Sequence, residues 1–360
     1  MRVLLIVIDQ LPGHWAPGVE AARGVPPVNV WDYARLNLAP NFRRLVERGL
    51  FCFAWNMGEC DTPHGMKYLA TGRYDAAPYW TSAGGWPYYP RTPSNPGPTG
   101  LFEYAQHYAP GRIRPACFTT DHWIAPGYFY TCGYPVALSA YYPDDEVWRS
   151  FAAPFLKRRR GWNLVYVYFP TMDQVSNCPL FLEWNPHSKS SKHAYMLHLD
   201  ELIGEVVSFL VGEGFWEETL LILASDHGYH AACTTAAAKN PVGASTPNWC
   251  CDHPPPHDCE VWDYSSGRGA GTYSGCTRRV LLLLSGGALD EGLRGRVLPE
   301  AEIVDVAATI ADFLDVPYEC EGTSVLRRKG EAVSLDFALA APTRPGRRPS
   351  GSPERPRPSA

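Results

Sequence analysis

The sequence has little of what marks membrane proteins or nucleic-acid-binding proteins. No apolar run is long enough to span a membrane as a helix, and charged residues make up only 19% of the 360 residues. The formal net charge of −5 is mild and gives no reason to expect a nucleic-acid polymer as a partner. The chain turns acidic too early for a secretory signal. We therefore expect a cytoplasmic protein without a membrane partner, of an oligomeric state that composition leaves open.

Cysteine is plentiful, but a disulfide framework is not expected. The chain has 11 cysteines, an odd number, and without a secretory signal this favours free thiols or metal ligands. Hydrophobic residues make up 45% of the chain, enough for a large core. We expect one domain over residues 1–340. The Pro- and Arg-rich end, residues 341–360, has little apolar area to bury and is expected to be a disordered tail.

Apolar segments indicate a buried sheet. They cover residues 3–8, 163–169, 219–225 and 279–287, and the first three are each followed closely by an aspartate. Strands that are apolar on both faces and separated by helical segments are typical of a parallel sheet. Helical spacing of apolar residues over 191–210 and 301–315 predicts two amphipathic helices. The predicted fold class is α/β, with a mostly parallel central sheet flanked by helices on both faces.

Two segments are expected to be irregular insertions. Residues 76–142 are rich in Pro, Gly, Tyr and Trp, and a second such segment runs over residues 231–275. Long loops of this kind usually cover the face of an α/β sheet that carries the active site. The aromatic residues of the first segment would suit a planar leaving group, although such loops also pack on themselves.

Polar residues follow three of the predicted strands. They are Asp9, Asp173 and the adjacent pair Asp226 and His227. The carboxyl ends of parallel strands lie along one edge of a sheet, so these side chains are expected to meet there. Each aspartate alone is equally well explained as the start of a loop or a helix cap. Together, carboxylate oxygens and an imidazole nitrogen form a ligand set suited to Zn²⁺ or Mn²⁺.

A hydroxyl group is available to such a metal. Thr62 precedes Pro63 and a segment able to form a helix. The positive potential of a helix N-terminus and a nearby cation would both lower the pKa of its hydroxyl group. An ordinary N-cap threonine followed by proline gives the same pattern, and one residue can serve both purposes.

Several segments in order resemble the alkaline phosphatase superfamily, in particular its nucleotide pyrophosphatase/phosphodiesterase and sulfatase-like branches. They read "VLLIVIDQL", "TPHGMKYLATGRY", "YFPTMDQ", "LASDHG" and "IVDVAATIADFLDVPYECEGTS". The resemblance implies an enzyme, a metal-dependent hydrolase of phosphate esters. Its substrate would be a small phosphorylated or sulfated ester. For the phosphorylated substrate the ester could be a phosphodiester, a phosphomonoester or a phosphonate ester. The reaction would pass through a covalent phosphorylated Thr62.

The resemblance also implies a set of metal ligands. One metal site is matched completely, by Asp9, Thr62, Asp226 and His227. In the second site Asp173 matches, but Asn177 and Cys276 stand where the family has histidines. One or two ions of zinc or manganese are therefore expected. The position of Cys60 does not fit the sulfatase motif that forms formylglycine, which counts against a sulfatase.

Two further residues are candidates for contact with the substrate or a second metal. Lys67 lies one helical turn after Thr62 and could meet an anionic oxygen, although a lysine there is more often solvated. His230 follows His227 by three residues and could reach the same pocket.

Two rival functions also remain. One is a phosphoryl transferase or mutase of the same superfamily, and the other is a degraded member that binds a phosphorylated ligand without turnover.

The segment Cys250–Cys259, "CCDHPPPHDC", concentrates candidate ligands in one loop. A structural zinc there is one interpretation. A second is that the loop carries His253 or His257 into the main site, where it would replace a missing ligand. The third is a stiff surface loop with reduced thiols, since the prolines favour an extended backbone.

Overall fold

The computed structural model describes residues 1–16, 19, 25–74, 100–120, 134–137, 142–177, 190–239, 253, 255–263 and 265–339. Most of the candidate site residues lie within these ranges. The side chain of Asn177 lies outside them, as do the cysteines at positions 250 and 251 and the predicted tail over 341–360.

The strands of the described part of the chain are β1 Arg2–Ile8, β2 Leu50–Trp55, β3 Pro115–Thr119, β4 Tyr134–Ala137, β5 Leu164–Phe169, β6 Thr219–Ala224, β7 Glu260–Asp263, β8 Arg268–Tyr273, β9 Arg279–Val280, β10 Leu282–Ser285, β11 Arg296–Glu302 and β12 Val333–Ser334. Ten of them form one sheet in the order β12-β11-β2-β10-β6-β1-β5-β3-β4, with β9 beside β2. The central strand β1 pairs in parallel with both β5 and β6, which confirms the predicted fold class. A separate two-stranded sheet consists of β7 and β8.

Helices cover the sheet, and the predicted helix over 191–210 is confirmed as the helix Ser191–Gly212, labelled α8. Its apolar stripe, including Met196, Leu199 and Ile203, is completely buried. None of the described helices is long and apolar enough to span a lipid bilayer. The helices are α1 Val30–Arg35, α2 Pro40–Arg48, α3 Thr62–Thr71, α4 Leu101–Tyr108, α5 Asp144–Glu146, α6 Ala153–Arg158, α7 Thr171–Asn177, α8 Ser191–Gly212, α9 Thr234–Lys239 and α10 Asp305–Phe313, with a π-helical turn over Val147–Ala152 and 3₁₀ turns over Trp216–Glu218, Cys276–Arg278, Glu291–Leu293 and Val325–Arg327.

The central strand β1 shows why its sequence is apolar without alternation. Leu4, Ile6 and Ile8 belong to the hydrophobic core on one side of the sheet. Val3 and Val7 belong to the core on the other side. Because successive side chains of a strand point to opposite faces, a strand covered on both faces is apolar at every position.

Four segments differ from the sequence-based expectation. The segment 231–275 contains α9, β7 and β8 and is therefore not irregular throughout. The segment 76–142 contains α4, β3 and β4, and both strands join the main sheet, so it is not an insertion throughout. The apolar run over 279–287 forms β9 and β10, and β10 runs antiparallel to both β2 and β6. Apolarity reports burial on two faces but not strand direction. The predicted helix over 301–315 is shorter, because residues 301 and 302 belong to β11.

The topology gathers the candidate site at one edge. Strands β1, β5 and β6 run parallel, and β2 has the same direction because β10 is antiparallel to both β2 and β6. The carboxyl ends of these four strands therefore lie on the same side. The loops that follow them carry most of the residues of the candidate site.

Candidate metal centre and nucleophile

Four of the predicted residues converge after β1, β2 and β6. The Thr62 Oγ1 atom lies 3.4 Å from Asp9 Oδ2 and 3.2 Å from His227 Nε2. His227 Nε2 in turn lies 3.3 Å from Asp9 Oδ1 and 3.6 Å from Asp226 Oδ2. Asp9, Asp226 and His227 are all buried. The oxygen and nitrogen atoms of the residues predicted to bind one ion therefore lie close enough together to share it.

Hydrogen bonds orient two of these side chains. The Nδ1 atom of His227 donates to the carbonyl of Gly228 at 2.9 Å, which leaves Nε2 as a lone-pair donor facing the carboxylates. Asp226 Oδ1 accepts from the backbone N–H groups of Gln10 and His227. Its other oxygen, Oδ2, is buried and makes no hydrogen bond. A buried carboxylate oxygen without a hydrogen-bond donor fits a site built for a cation.

The electrostatics of the site lead to the same conclusion. Burial raises the pKa of Asp226 to about 7. Burial, together with the negative charges of Asp226 and Asp173, holds the pKa of Asp9 well above its usual range. Burial lowers the pKa of His227, so its imidazole is neutral. Closely spaced carboxylates beside a neutral imidazole are costly in isolation, and a divalent cation would offset that cost.

Helix α3 presents the hydroxyl group of Thr62 to this centre. The N-cap of the helix is Asp61, whose side chain accepts from His64 N, so Thr62 does not serve as the cap. Gly65 allows α3 to approach closely. A Cβ atom at that position would lie 2.5 Å from the backbone oxygen of Asp226 and 2.6 Å from its Cβ.

A second group of candidate ligands adjoins the first. Ligand atoms of Asp173, His227 and His253 all lie within 4.8 Å of one another. His253 Nε2 is 3.6 Å from Asp173 Oδ1, and its Nδ1 atom donates to the carbonyl of Cys60 at 3.1 Å. The loop thus brings His253 to the main site, which was one of the three interpretations of its sequence.

Comparison with known proteins gives a family match over part of the chain. A family model described as type I phosphodiesterase / nucleotide pyrophosphatase matches residues 92–242, which include Asp173, Asp226 and His227. The fold is that of the alkaline phosphatase superfamily. Among curated protein sequences none matches this chain.

Solved structures of the superfamily cover most of the chain at low sequence identity. Murine ectonucleotide pyrophosphatase/phosphodiesterase 5 is 12% identical, with a TM-score of 0.59 over 92% of this chain and 100% of that one. An inactive threonine-to-alanine variant of the murine protein in complex with AMP is 11% identical, with a TM-score of 0.59 and the same coverage. The phosphonate monoester hydrolase of Agrobacterium radiobacter is 15% identical, with a TM-score of 0.51 over 90% of this chain and 76% of that one.

Four other candidates lie elsewhere. Cys276 and His230 do not group with Asp173, but with each other and two further cysteines. The carbonyl of Cys276 packs against Gly228, where a Cβ would lie 2.5 Å from it, so the turn before β9 lies beside the His227 segment. His257 Nε2 lies 2.9 Å from Glu59 Oε2. Lys67 is buried rather than solvated, with its Nζ atom 5.3 Å from the Tyr68 ring centroid.

Sequence reasoning missed three residues that support the site. Gln10, in a left-handed conformation (φ 58°), donates through Nε2 to Asp173 Oδ1 at 2.5 Å. Its Oε1 atom accepts from the buried Lys192 Nζ at 2.7 Å. Tyr168 donates its hydroxyl group to Asp9 Oδ2. Gln10 directly after Asp9, and Tyr168 five residues before Asp173, could have indicated a role from their positions, whereas Lys192 lies far from each predicted ligand in sequence.

A cavity of about 860 Å³ lies at the other edge of the sheet. Its lining includes Arg114 and Pro115 at the start of β3 and Trp162 just before β5. It contains none of the candidate metal ligands, so we do not assign the reaction to it.

Proposed function

We propose that this protein is a metal-dependent hydrolase of phosphate esters in which Thr62 is the nucleophile. The observation that carries the proposal is the position of Thr62 Oγ1, within 3.4 Å of Asp9 Oδ2 and 3.2 Å of His227 Nε2. The buried Asp226 Oδ2 atom, which makes no hydrogen bond, completes the case for a cation beside that hydroxyl group.

The residues present would hold one or two ions of Zn²⁺ or Mn²⁺. Asp9, Asp226 and His227, with the Thr62 oxygen, fit one ion. Asp173 and His253, which group with the same His227, are the further ligands available to a second ion. When bound, such an ion lowers the pKa of a hydroxyl group and neutralises charge on an anionic ester.

Thr62 would act in two steps. Its Oγ1 atom forms a bond to phosphorus as the bond to the leaving alkoxide breaks, and the hydroxyl proton departs with the leaving alcohol. Water then breaks the bond between Thr62 and phosphorus, which restores the hydroxyl group and releases the phosphorylated product. The N-terminal position of Thr62 on α3 favours the developing negative charge. Lys192 adds a buried positive charge through its hydrogen bond to Gln10.

Two observations support a phosphate ester over a formylglycine-dependent sulfate ester. Cys60 is buried, and its Sγ atom faces the backbone carbonyls of Asn56 and Gly58 at 4.0 and 3.7 Å. Thr62, rather than a cysteine, lies at the candidate ligands. The murine relative bound to AMP is a threonine-to-alanine variant described as inactive, which agrees with a threonine-dependent reaction in that relative.

The test is an assay with bis(p-nitrophenyl) phosphate, p-nitrophenyl phosphate and a p-nitrophenyl phosphonate, with Zn²⁺ and with Mn²⁺. We expect metal-dependent release of p-nitrophenol from at least one ester and a phosphorylated Thr62 peptide after acid quenching. No turnover by metal-loaded protein that still binds AMP would refute hydrolysis and favour the non-catalytic binder. Transfer of the phosphoryl group to an added alcohol in preference to water would favour the transferase.

A further inference from the structure

A compact group of sulfur and nitrogen atoms lies apart from the proposed catalytic residues. We call it the Cys-His cluster; its members are His230, Cys233, Cys259 and Cys276. The Nδ1 atom of His230 lies 3.3 Å from the sulfur of Cys276, 3.4 Å from that of Cys259 and 3.6 Å from that of Cys233. The sulfur of Cys276 lies 3.2 Å from that of Cys259 and 3.6 Å from that of Cys233.

We propose that the Cys-His cluster binds a structural zinc ion. In a tetrahedral site with Zn–S bonds of about 2.3 Å and a Zn–N bond of about 2.0 Å, neighbouring sulfurs lie about 3.8 Å apart and sulfur and nitrogen about 3.6 Å apart. The observed sulfur–nitrogen separations of 3.3 to 3.6 Å are already close to this geometry. The sulfur–sulfur separations of 3.2 and 3.6 Å need at most about 0.6 Å of expansion to admit the ion.

Burial makes the site a structural rather than a catalytic one. His230, Cys233 and Cys276 have no exposed surface, and Cys259 is 4% exposed. Four protein ligands fill the tetrahedral coordination of zinc and leave no position for a substrate. A disulfide is a poorer explanation, because it would join two of the three sulfurs and would not account for the convergence of the third sulfur and the imidazole.

The surroundings compensate the charge of such a centre. Zinc bound by three thiolates and one neutral imidazole carries one net negative charge. Ser274 Oγ donates to the sulfur of Cys276 at 3.2 Å, a hydrogen bond that suits a thiolate. The completely buried guanidinium group of Arg279 donates to the carbonyl of Ser274 at 2.7 Å and supplies a positive charge nearby.

The ion would join segments that the main sheet does not hold together. His230 and Cys233 follow β6, Cys259 precedes β7, and Cys276 lies in the turn before β9. In the described part of the chain the β7–β8 hairpin is not paired with the main sheet, and an antiparallel bridge between Cys233 and Val261 joins it to the segment after β6. A two-stranded hairpin is marginally stable by itself in water. Zinc would anchor this hairpin to the core.

The same anchor would support the proposed catalytic site. Gly228, next to His227, donates its N–H to the carbonyl of Thr277 at 2.7 Å. Thr277 Oγ1 donates to the carbonyl of His257, in the loop that carries His253. The zinc-bound turn would therefore fix the backbone on which both histidines depend.

The test counts zinc in variants of the full chain by elemental analysis after dialysis against a mild chelator. Asp226→Asn removes a ligand of the proposed catalytic centre, and we expect that protein to keep about one equivalent of zinc. Adding Cys259→Ser should remove this equivalent. Adding Cys117→Ser instead, at another buried cysteine outside the cluster, should not.

Two measurements on the unmodified protein cover the case in which Cys259→Ser fails to fold. Cobalt substitution should give the near-ultraviolet thiolate-to-cobalt band and the strong visible bands of a tetrahedral site. Alkylation followed by mass spectrometry should find Cys233, Cys259 and Cys276 protected until zinc is removed. A protein without thiolate-bound metal after growth and refolding with zinc, or with a Cys259–Cys276 disulfide in its native form, would overturn the proposal.

Discussion

His227 and His253 lie against each other, with ring centroids 4.0 Å apart. Each ring donates a hydrogen bond from Nδ1 to a backbone carbonyl, which is that of Gly228 for His227 and that of Cys60 for His253. Both Nε2 atoms are consequently available beside carboxylates, those of Asp9 and Asp173 respectively. A hydrogen bond from Nδ1 to a backbone carbonyl is the usual way in which a metal-binding histidine is oriented. The contact between the two rings connects the two groups of candidate ligands.

Replacement of Thr62 should separate nucleophilic attack from metal binding. We expect Thr62→Ala to lower kcat for ester hydrolysis by about 10³-fold or more while the metal content stays unchanged, because Asp9, Asp226 and His227 remain. Thr62→Ser keeps the hydroxyl group and is the matched control, with activity retained in part. Full activity of Thr62→Ala would exclude the proposed nucleophile.

The loop histidines offer a matched pair for the second group of ligands. His253→Ala should weaken binding of one metal ion by about 10-fold or more, because it removes the nitrogen facing Asp173. His257→Ala should leave metal binding intact, because the His257 ring faces Glu59 instead. Metal titration by calorimetry checks both. Equal losses in the two variants would show that the loop as a whole, and not the His253 ligand atom, governs metal binding.

Gly65 should tolerate no side chain. In Gly65→Ala the new Cβ would lie 2.5 Å from the carbonyl oxygen of Asp226, so either α3 or the Asp226 segment must shift. We expect a loss of about 1–3 kcal/mol in the free energy of unfolding, and about 10-fold or more in activity. Gly212→Ala, at the end of α8 with open space around its Cβ, is the control. Normal activity in both variants would contradict the close approach.

Asp144 should make stability depend on pH. It is buried and accepts hydrogen bonds from the backbone N–H and hydroxyl group of Thr171, at the start of the helix that carries Asp173. Burial raises its pKa to about 7, above the ordinary value of 3.8. The folded state therefore keeps a proton that the unfolded state has lost, and stability from this group decreases as pH rises from about 4 to about 7.

Asp144→Asn should remove that dependence. Relative to the wild type, the variant should gain up to about 4 kcal/mol in the free energy of unfolding between pH 4 and pH 8. Urea denaturation at both pH values measures the difference. A stability difference that is the same at pH 4 and pH 8 would show that Asp144 does not retain its proton in the fold.

The local sequence was sufficient to predict the site residues that lie directly after a buried strand or at the start of a helix. A run of apolar residues covered on both faces must stop where the chain reaches solvent or a ligand, so Asp9 and Asp226 are visible as the first carboxylates after buried strands. Thr62 is visible because proline and a helical pattern follow it. The direction of β10 was not readable in this way, since parallel and antiparallel strands bury the same residues.

The sequence by itself indicated the apolar strands, the helical segments between them that favour parallel pairing, and the polar residues that follow them, because burial on two faces and helical spacing are local properties. Only the tertiary structure decided which distant side chains meet. His253 reaches Asp173 from another loop, and Cys276 lies with His230 rather than with Asp173. Irregular loops have no repeating geometry that spacing along the chain could report, so their contacts depend on packing against the completed sheet.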